Sequence, residues 1–387
     1  MDFEFTEAQK LLQRTVRKFV KTEMPAEKMR EIDEVGEFPD ELWKKIADIG
    51  LCAIAVPKEY GGMGGSIVDL VIVTEELARG DLSMGTMFMN TQYSGAKTIE
   101  WHGSKKQKEE YLPKIAKGEI KFSFGFTEPS GGTDILGTLK TSAVKDGNDF
   151  VINGAKIFTT AATFSHYILL LTRTDNNPSK RTLGISLFIV PVDSPGLVVN
   201  KLKTFGLKIT QTCETFYEDV RVPEENLVGD LHKGFYQLLG SLNNERILVA
   251  AMSIGNAQHA LDEAIQFAAE ERFAFGRPIG AFQAIQHKLA YDAIMIEAAR
   301  LLTYKAAMLQ SEGKACHVEA AMAKYLASEA TWKTAFDGTR NMGGLGYTME
   351  YDMQRYLRDA WPMMNGPMTN EQALNIIGEG IGLPKSY

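Results

Sequence analysis

Residues 149–162 read "DFVINGAKIFTTAA", a run rich in β-branched and aromatic residues that predicts a β-strand. Three comparable runs, "HYILLLTRT", "GISLFIVPV" and "ETFYEDVRV", follow it, each bounded by Gly, Asn, Asp or Pro. Together they predict an all-β region from 121 to 230, arranged as a small barrel or folded sheet. Asn153-Gly154 is a strong turn signal, so a plain hairpin is the alternative interpretation of the first run.

The sequence on both sides of this region has apolar residues at helical spacing. Examples are "TEAQKLLQRTVRKFV" and "SIVDLVIVTEELARG" before it, and "AMSIGNAQHALDEAIQFAAEERF" after it. Long helices in series are typical of a bundle. The sequence therefore predicts an α+β multidomain fold. We expect an N-terminal all-α domain at 1–120, a middle β-barrel or sheet domain at 121–230, and a C-terminal four-helix-bundle domain at 231–387.

Composition and charge exclude several classes of function. The 387 residues include 42 basic and 49 acidic ones, a net charge of −7 that argues against nucleic-acid binding. No stretch approaches the roughly 18 uninterrupted apolar residues of a membrane helix. The N-terminus predicts an amphipathic helix rather than a signal peptide, so we expect a cytoplasmic protein. Three scattered cysteines form neither a disulfide framework nor a metal-spaced cluster, and no metal is expected.

Four glycine-containing or polar stretches carry the functional signal. The first, "GFTEPSGGTDILG" (Gly125 to Gly137), predicts a polar loop whose exposed N–H groups and hydroxyls suit a phosphate or a flavin edge. On its own, this loop could equally be an ordinary cluster of β-turns. The others are "NGAKIFTT" (153–160), "ERFAFGRPIGAFQAIQHKLA" (271–290) and "NMGGLGYTMEYDMQRYLRDA" (341–360).

In this order the four stretches resemble the acyl-CoA dehydrogenase superfamily, and the resemblance spans nearly the whole chain. It implies FAD as the cofactor and an acyl-CoA thioester as the substrate. It also implies a homotetramer or dimer with shared FAD sites, and electron-transfer flavoprotein as the redox partner.

The resemblance assigns FAD-binding positions in each stretch. Phe158 lies where the family has an aromatic ring, usually Trp, against the flavin, and Thr160 lies where a hydroxyl bonds the flavin N5 edge. Arg272 matches a position that reaches the FAD pyrophosphate of a neighbouring subunit, and its planar guanidinium suits such an anion. The alternative is that "FGRPIG" is a helix-ending turn followed by a solvated Gln283. The implied FAD-binding set is Phe126, Thr127, Gly132, Thr133, Phe158, Thr160, Arg272, Phe275, Gln283, Gly343, Gly344, Thr369 and Glu371.

The family's usual catalytic base is missing from the tail. Most members place a Glu seven residues after an Arg-Asp-Ala, and the ungapped register puts Pro367 at that position, with Thr369 matching. No acid lies between Asp359 and Glu371. Proline also lacks the N–H that in the family helps to hold the thioester carbonyl. The base is therefore expected elsewhere.

The stretch "SLNNERILVAA" offers a replacement. Some relatives, such as isovaleryl-CoA dehydrogenase, supply the catalytic Glu from a helix directly before a characteristic Arg, and here that pair is Glu245–Arg246. We expect the apolar residues 247–251 to bury the carboxyl and raise its pKa, although Arg246 opposes that shift. The alternative is a first-turn glutamate that complements the helix dipole. The resemblance implies Glu245 as the base, with Asn243, Arg246, Tyr347 and Pro367 toward the substrate.

The acyl group is constrained only weakly. Relatives that act on dicarboxylic acyl groups often place an Arg after "ELAR", but "GDLSMGTMFMNTQYSG" has no cation, which disfavours a glutaryl-type substrate. Methionines there are either core or an apolar acyl pocket that suits a branched, cyclic or unsaturated group. The methionines of the stretch are Met84, Met87 and Met89, to which Met363, Met364 and Met368 could add, and its uncharged polar residues are Asn90, Thr91 and Gln92.

The expected reaction abstracts the α-proton of an acyl-CoA and transfers the β-hydride to flavin N5, with the electrons passing to electron-transfer flavoprotein. The missing usual base leaves alternatives on the same fold: 1,4-dehydrogenation of a cyclic enoyl-CoA, enoyl-CoA reduction, or a non-oxidative elimination such as desulfination. A non-catalytic flavoprotein with a binding role is the third possibility.

Overall fold

The computed structural model describes residues 4–176, 179–180, 182–239 and 242–385, with helices at both ends and a sheet between them. This arrangement confirms the fold class predicted from the sequence. Within the described residues, none of the helices is both long enough and apolar enough to span a membrane.

The N-terminal region is built from helices around a buried helix, α4. Thr6 and Ser66 begin α1 and α4 with reciprocal capping boxes, which satisfy N–H groups that a helix start leaves free. Helix α4 is buried along nearly its whole length because α1 and the long helix α10 of the C-terminal region both pack on it. The helices are α1 (Glu7–Glu23), α2 (Ala26–Val35), α3 (Asp40–Asp48), α4 (Ile67–Gly80), α5 (Leu82–Met89), a π-helix (Asn90–Lys97), α6 (Thr98–His102) and α7 (Lys105–Ala116).

The described part of the middle region forms an eight-stranded sheet. Its strand order is β6-β7-β3-β2-β4-β5-β8, and β1 pairs with β4 beside β2. The pairs β1–β4 and β2–β4 are parallel, whereas the remaining pairs are antiparallel. The elements are β1 (Phe122–Gly125), α8 (Ile135–Thr138), β2 (Ser142–Asp146), β3 (Asp149–Thr160), β4 (Tyr167–Arg173), β5 (Ile185–Pro191), β6 (Leu197–Lys201), β7 (Thr212–Pro223) and β8 (Leu227–Val228).

The Asn153-Gly154 pair is not a hairpin turn, so the alternative interpretation of that stretch was wrong. Both residues lie inside the continuous strand β3, at an irregularity in its pairing with β7. The Asn153 side chain accepts from the N–H of Asp219 on β7 (2.9 Å), which holds it in the ladder. Glycine is needed next because a Cβ at Gly154 would lie 2.6 Å from Thr141. Close approach of two strands, rather than a turn, explains this glycine.

The C-terminal region is a helical bundle. The long helices α10, α11 and α12 pack on one another, and α14 packs on α12. The sequence around "FGRPIG" forms a two-stranded antiparallel ribbon, β9–β10, at the end of a short π-helix. The elements are α9 (Gly234–Leu239), α10 (Leu242–Gln266), a π-helix (Phe267–Glu271), β9 (Phe273–Ala274), β10 (Arg277–Pro278), α11 (Gln283–Ser311), α12 (His317–Met342), α13 (Met353–Ala360) and α14 (Asn370–Gly380).

One buried arginine joins the two helical regions. Arg355 on α13 is 1% exposed, and its Nη1 donates to Asp81 Oδ2 at 2.6 Å. Asp81 also caps α5, because its Oδ1 accepts from the N–H of Ser83 (2.8 Å). Arg355 Nε donates to Asp352 Oδ1 at 3.3 Å, and Arg30 of α2 donates to the same carboxylate. The start of α5 is therefore fixed by a charge carried on the far end of the chain.

Candidate active site

Glu245 lies in the first turn of α10, as the sequence predicted. The side chain is half-buried, and residues 247–251, which follow it, are buried. It forms no side-chain hydrogen bond to any residue in the described part of the chain. Burial raises the pKa of the Glu245 carboxyl to about 7, and the neighbouring charge of Arg246 opposes the rise. A carboxylate of this kind is a suitable general base near neutral pH.

Arg246 is drawn away from that carboxyl by its own partners. Its Nη1 donates to Asn243 Oδ1 at 3.1 Å, and Asn243 Nδ2 lies 3.7 Å from the Sγ of Cys316 at the start of α12. Burial lowers the pKa of the Arg246 guanidinium, although the Glu245 charge favours its protonated form. The pair therefore shares an electrostatic interaction without a hydrogen bond. This leaves the Glu245 oxygens open to a ligand.

The tail offers no competing base. Pro367 is exposed in the loop before α14, and Thr369 begins that helix by accepting from the N–H of Gln372 at 3.3 Å. Burial raises the pKa of Asp359 to about 7 as well. However, Asp359 is buried and accepts from the N–H of Leu207 (2.6 Å), so it holds the middle region rather than facing a ligand. Glu371 is exposed in the first turn of α14.

A buried lysine fixes the same loop. Lys324 Nζ on α12 donates to the carbonyl of Met364 (3.0 Å) and to Asn370 Oδ1 (2.7 Å), so one ammonium holds both ends of the loop. Ser328 donates to the same Asn370 oxygen at 3.0 Å. Burial lowers the pKa of Lys324 to about 8. Pro367 is thus presented at a position set by α12.

A second buried ion pair joins the two expected flavin-facing stretches. Lys156 Nζ on β3 donates to Glu128 Oε1 (2.9 Å) and to the Phe126 carbonyl (3.1 Å). The Glu128 carboxylate also accepts from the N–H groups of Lys140 and Thr141, each at 2.8 Å. The loop at 125–138 is therefore fastened beside β3. Phe126 and Thr127 become neighbours of the strand that carries Phe158 and Thr160.

Phe158 is unusual in conformation and exposure. Its φ is 59°, a backbone conformation that is strained for residues other than glycine. The residue is 61% exposed. The pairing of β3 with β7 slips between Ile157 and Thr159, which turns this residue out of the ladder. A strained, exposed aromatic residue marks a functional position rather than a core one. Thr160 lies half-buried two residues further, at the end of β3.

Five of the expected cofactor residues, Arg272, Phe275, Gln283, Gly343 and Gly344, lie at the opposite end of the bundle. Glu245 is near the start of α10, while Arg272 follows its end, roughly 30 Å further at 1.5 Å per residue. Phe275 there is 96% exposed, and Gln283 is exposed as well. Helix α12 runs in the same direction as α10, so Gly343 and Gly344 also lie at that far end. Tyr347, which is 90% exposed, belongs with them and is not brought to Glu245.

These surroundings fit FAD. Exposed Phe158 offers a flat apolar surface and Thr160 a hydroxyl beside it. At the far end, exposed Arg272 offers a guanidinium, and a Cβ at Gly343 or Gly344 would meet no atom within 4 Å, which leaves room for a close phosphate. One chain does not bring the two groups together. In the described residues, the two groups lie at opposite ends of the bundle.

Sequence reasoning missed Lys156 and Lys324, which position the site without facing it. Each had a signal: a lysine within an otherwise apolar run, "NGAKIF" or "AAMAKYLA". A lysine at a buried position needs an anionic or carbonyl partner. The partners, Glu128 and Asn370, could not be identified because they are distant in sequence.

Replacing Glu128 by Gln tests whether the fastened loop supports flavin binding. The Lys156 ammonium would lose its charged partner in a buried place, and we expect the free energy of unfolding to fall by about 2 kcal/mol. FAD should also be retained less well after gel filtration, as judged by the ratio of flavin to protein absorbance. Glu224→Gln is the matched control, because its partner Lys145 is exposed and such pairs contribute little. Equal FAD retention by both variants would contradict the role of the loop.

The chain resembles known proteins in both sequence and structure. Family models match three consecutive segments: the acyl-CoA dehydrogenase N-terminal domain at 6–119, middle domain at 123–220 and C-terminal domain at 232–382. The chain is 39% identical to a probable acyl-CoA dehydrogenase, YngJ, of Bacillus subtilis, over 96% of this chain and 97% of that one.

Two further proteins are similar to the chain. The chain is 39% identical to the CarC subunit of the caffeyl-CoA reductase-Etf complex of Acetobacterium woodii, over 92% of this chain and 93% of that one. Butyryl-CoA dehydrogenase from Megasphaera elsdenii superposes with a TM-score of 0.93 at 34% identity, covering 98% of this chain and 100% of that one.

Proposed function

The chain belongs to the acyl-CoA dehydrogenase family, and on that premise we propose that it oxidises an acyl-CoA thioester with Glu245 as the general base. It is an FAD-dependent oxidoreductase that acts on acyl-CoA. The observation that carries the proposal is a half-buried carboxyl with a pKa of about 7 and no hydrogen-bonding partner among the described residues. The tail, where the family usually places the base, has Pro367 instead.

In the proposed reaction, Glu245 accepts the proton from the substrate α-carbon. The bound FAD supplies the acceptor for the β-hydride. The chain does the remaining work: Asn243 holds the Arg246 guanidinium, so this group does not hydrogen-bond the carboxylate among the described residues. Since the carboxyl is poorly solvated, its proton affinity is raised toward that needed for a weakly acidic α-proton.

The thioester carbonyl needs a hydrogen-bond donor that Pro367 cannot supply. The N–H of Gly366 is already bonded to the Pro362 carbonyl at 2.9 Å. The N–H of Met368 forms no hydrogen bond to a described residue and belongs to the loop that Lys324 holds. We therefore propose Met368 N–H as the donor to the thioester oxygen. A donor on a fixed loop stabilises the developing negative charge on the thioester oxygen most strongly, because the loop does not have to reorganise during the reaction.

The proposal predicts a pH dependence. Glu245 must be deprotonated to accept a proton, so the rate of α-proton exchange should rise about tenfold per pH unit up to a pKa of about 7 and then level off. NMR of deuterium uptake by the thioester, catalysed by the FAD-loaded protein from pH 5.5 to 9, measures this. Uncatalysed exchange at each pH is the baseline. A profile already level at pH 5.5 would contradict the assigned base.

The same pKa also suits the reverse reaction, reduction of an enoyl-CoA. A carboxyl with a pKa of about 7 is about half protonated at neutral pH, so Glu245 could also deliver a proton to the α-carbon of an enoyl-CoA. The relative CarC belongs to a caffeyl-CoA reductase complex, which makes reduction the second candidate. Assays with saturated thioesters plus an electron acceptor, and with enoyl thioesters plus a reductant, separate the two directions. Turnover without either would indicate elimination.

Two partners follow from the proposal. Electron-transfer flavoprotein is proposed as the redox partner, since the relative CarC is a subunit of an Etf complex. A homotetramer or dimer is proposed because Arg272 and Phe275 lie too far from Glu245 to complete a site within one chain. A row of exposed apolar side chains along α11 supports an interface there; it comprises Tyr291, Ile294, Leu301 and Met308.

A further inference from the structure

Asn90 is a buried amide without a hydrogen-bonding partner among the described residues. It is the first residue of the π-helix Asn90–Lys97 and is only 4% exposed. Its side chain forms no hydrogen bond to a described residue. Its amide atoms are also absent from the set of fully enclosed, unpaired polar atoms, so they border space that water can enter. A buried amide is costly to leave unpaired, and π-helical segments are frequent at functional sites.

Three polar residues near Asn90 are satisfied by the protein itself. Thr86 donates to the Leu82 carbonyl at 2.9 Å, and Thr91 accepts from the N–H of Phe122 at 3.4 Å. Gln92 uses both ends of its amide on backbone groups, Ala55 N–H at 3.2 Å and the Cys52 carbonyl at 2.7 Å. Ser83 and Ser94 also leave hydroxyls unpaired among the described residues, but those oxygens are fully enclosed. Asn90 differs from them because its amide atoms are not enclosed. Its hydrogen-bonding capacity is left for something outside the fold.

The direction of the Asn90 side chain follows from its helix neighbours. Thr86 lies four residues earlier, on α5, so its side chain and that of Asn90 share a face. Thr86 Oγ1 lies 3.6 Å from Met252 Sδ on α10, and Tyr93 is near enough to α10 to interact with the charge of Arg246. This face therefore looks at α10. The opposite face, with Thr91, packs on β1.

The facing strip of α10 contains Glu245. Glu245, Val249 and Met252 are four and three residues apart, so they share a face of α10. Met252 meets Thr86, and Tyr93 interacts with Arg246, the residue after Glu245, so this segment runs antiparallel to α10. Asn90 therefore lies opposite Val249, one helical turn, about 6 Å, along the axis from Glu245. The unpaired amide and the unpaired carboxyl border the same side of α10.

We propose that Asn90 is a specificity residue that hydrogen-bonds a neutral polar group on the acyl portion of the substrate. The inference rests on the proposed function, because Glu245 fixes where the α-carbon lies. One turn from Glu245, a hydroxyl or keto group a few carbons beyond the thioester would reach the amide. An amide both donates and accepts, so it suits such a neutral group. The substrate class is therefore a hydroxyacyl- or oxoacyl-CoA rather than a plain hydrocarbon chain.

The test compares pentanoyl-CoA with 5-hydroxypentanoyl-CoA. Dissociation constants are measured by anaerobic calorimetry on the FAD-loaded protein without an electron acceptor, and flavin bleaching by each thioester is recorded separately. The wild-type chain should bind the hydroxy compound about tenfold more tightly or better, because the plain chain leaves the amide unpaired. Asn90→Leu should abolish that preference. Ser83→Ala, which removes an enclosed unpaired hydroxyl on the same helix, should keep it.

The possible outcomes separate the role of Asn90 from the proposed oxidation. No preference in the wild-type chain, or an unchanged preference in Asn90→Leu, overturns the role of Asn90 even if bleaching is normal. A preference that Asn90→Leu removes, without bleaching by either thioester, supports Asn90 and counts against the proposed oxidation. If Asn90→Leu does not retain FAD, Asn90→Ala gives the same comparison with less added volume.

Discussion

Glu245→Gln is expected to slow substrate-dependent flavin reduction about a thousandfold, within the range that a positioned general base supplies. The amide keeps the size of the carboxyl but cannot accept the α-proton. Because Glu245 forms no side-chain hydrogen bond to a described residue, the change removes no structural contact. The variant should therefore retain its FAD and its thermal stability. Anaerobic stopped-flow measurement of flavin bleaching by an acyl-CoA that reduces the wild-type protein gives the rate.

The control for this prediction lies on the same helix. Asp262→Asn makes the same change of acid to amide about 25 Å further along α10, where Asp262 pairs with Arg79. It should leave the rate of bleaching within a factor of two or three of the wild-type rate. Full-speed bleaching by Glu245→Gln would show that another group takes the proton.

Arg355→Leu is expected to lower the free energy of unfolding by about 3–5 kcal/mol. The leucine would leave the Asp81 carboxylate buried without the cation that now contacts it at 2.6 Å. Asp352 would retain its ion pair with Arg30 but lose its contact with Arg355. Breaking one side of a buried ion pair is costly because the remaining charge stays out of water. Urea unfolding followed by circular dichroism, at a fixed FAD concentration, measures the change.

A surface arginine provides the matched comparison. Arg221 pairs with Asp146 at 2.7 Å, but both side chains are more than half exposed, so Arg221→Leu should change the free energy of unfolding by less than about 1 kcal/mol. Adding Asp81→Asn to Arg355→Leu should recover part of the loss, since the unpaired charge is then removed. If Arg355→Leu is no more destabilising than Arg221→Leu, the junction does not depend on this charge.

The architecture could be predicted from the sequence because the apolar residues of each region follow one dominant spacing. β-Branched runs in the middle and helical spacing on both sides define helix, sheet and helix without any distant contact. Glu245 could be singled out for a similar reason, since its position in a first turn before an apolar run is local information. Asn153-Gly154 could not be placed correctly, because what decides its conformation is the approach of Thr141 and the bond to Asp219 on another strand.

The residues that position the site were beyond the reach of sequence reasoning. Glu128 and Lys156 are 28 positions apart, and Lys324 and Asn370 are 46 apart, so their pairing depends on the fold. Asn90 was noted only as an uncharged residue of the stretch 80–95. In the sequence it looks no different from Thr91 and Gln92, and only the hydrogen bonds of the folded chain separate them. Whether the expected FAD residues meet in an assembled site remains a prediction.

The π-helix Asn90–Lys97 makes this region sensitive to chain length. A π-helix has one more residue in a turn than an α-helix, so deleting one residue could let the segment close as an α-helix with both ends in place. Side chains on either side of the deletion would then be rotated against each other by about 100°. Asn90 would turn away from α10, or Tyr93 would. A single codon lost or gained here offers evolution a one-step route to another acyl group, with Glu245 left unaltered.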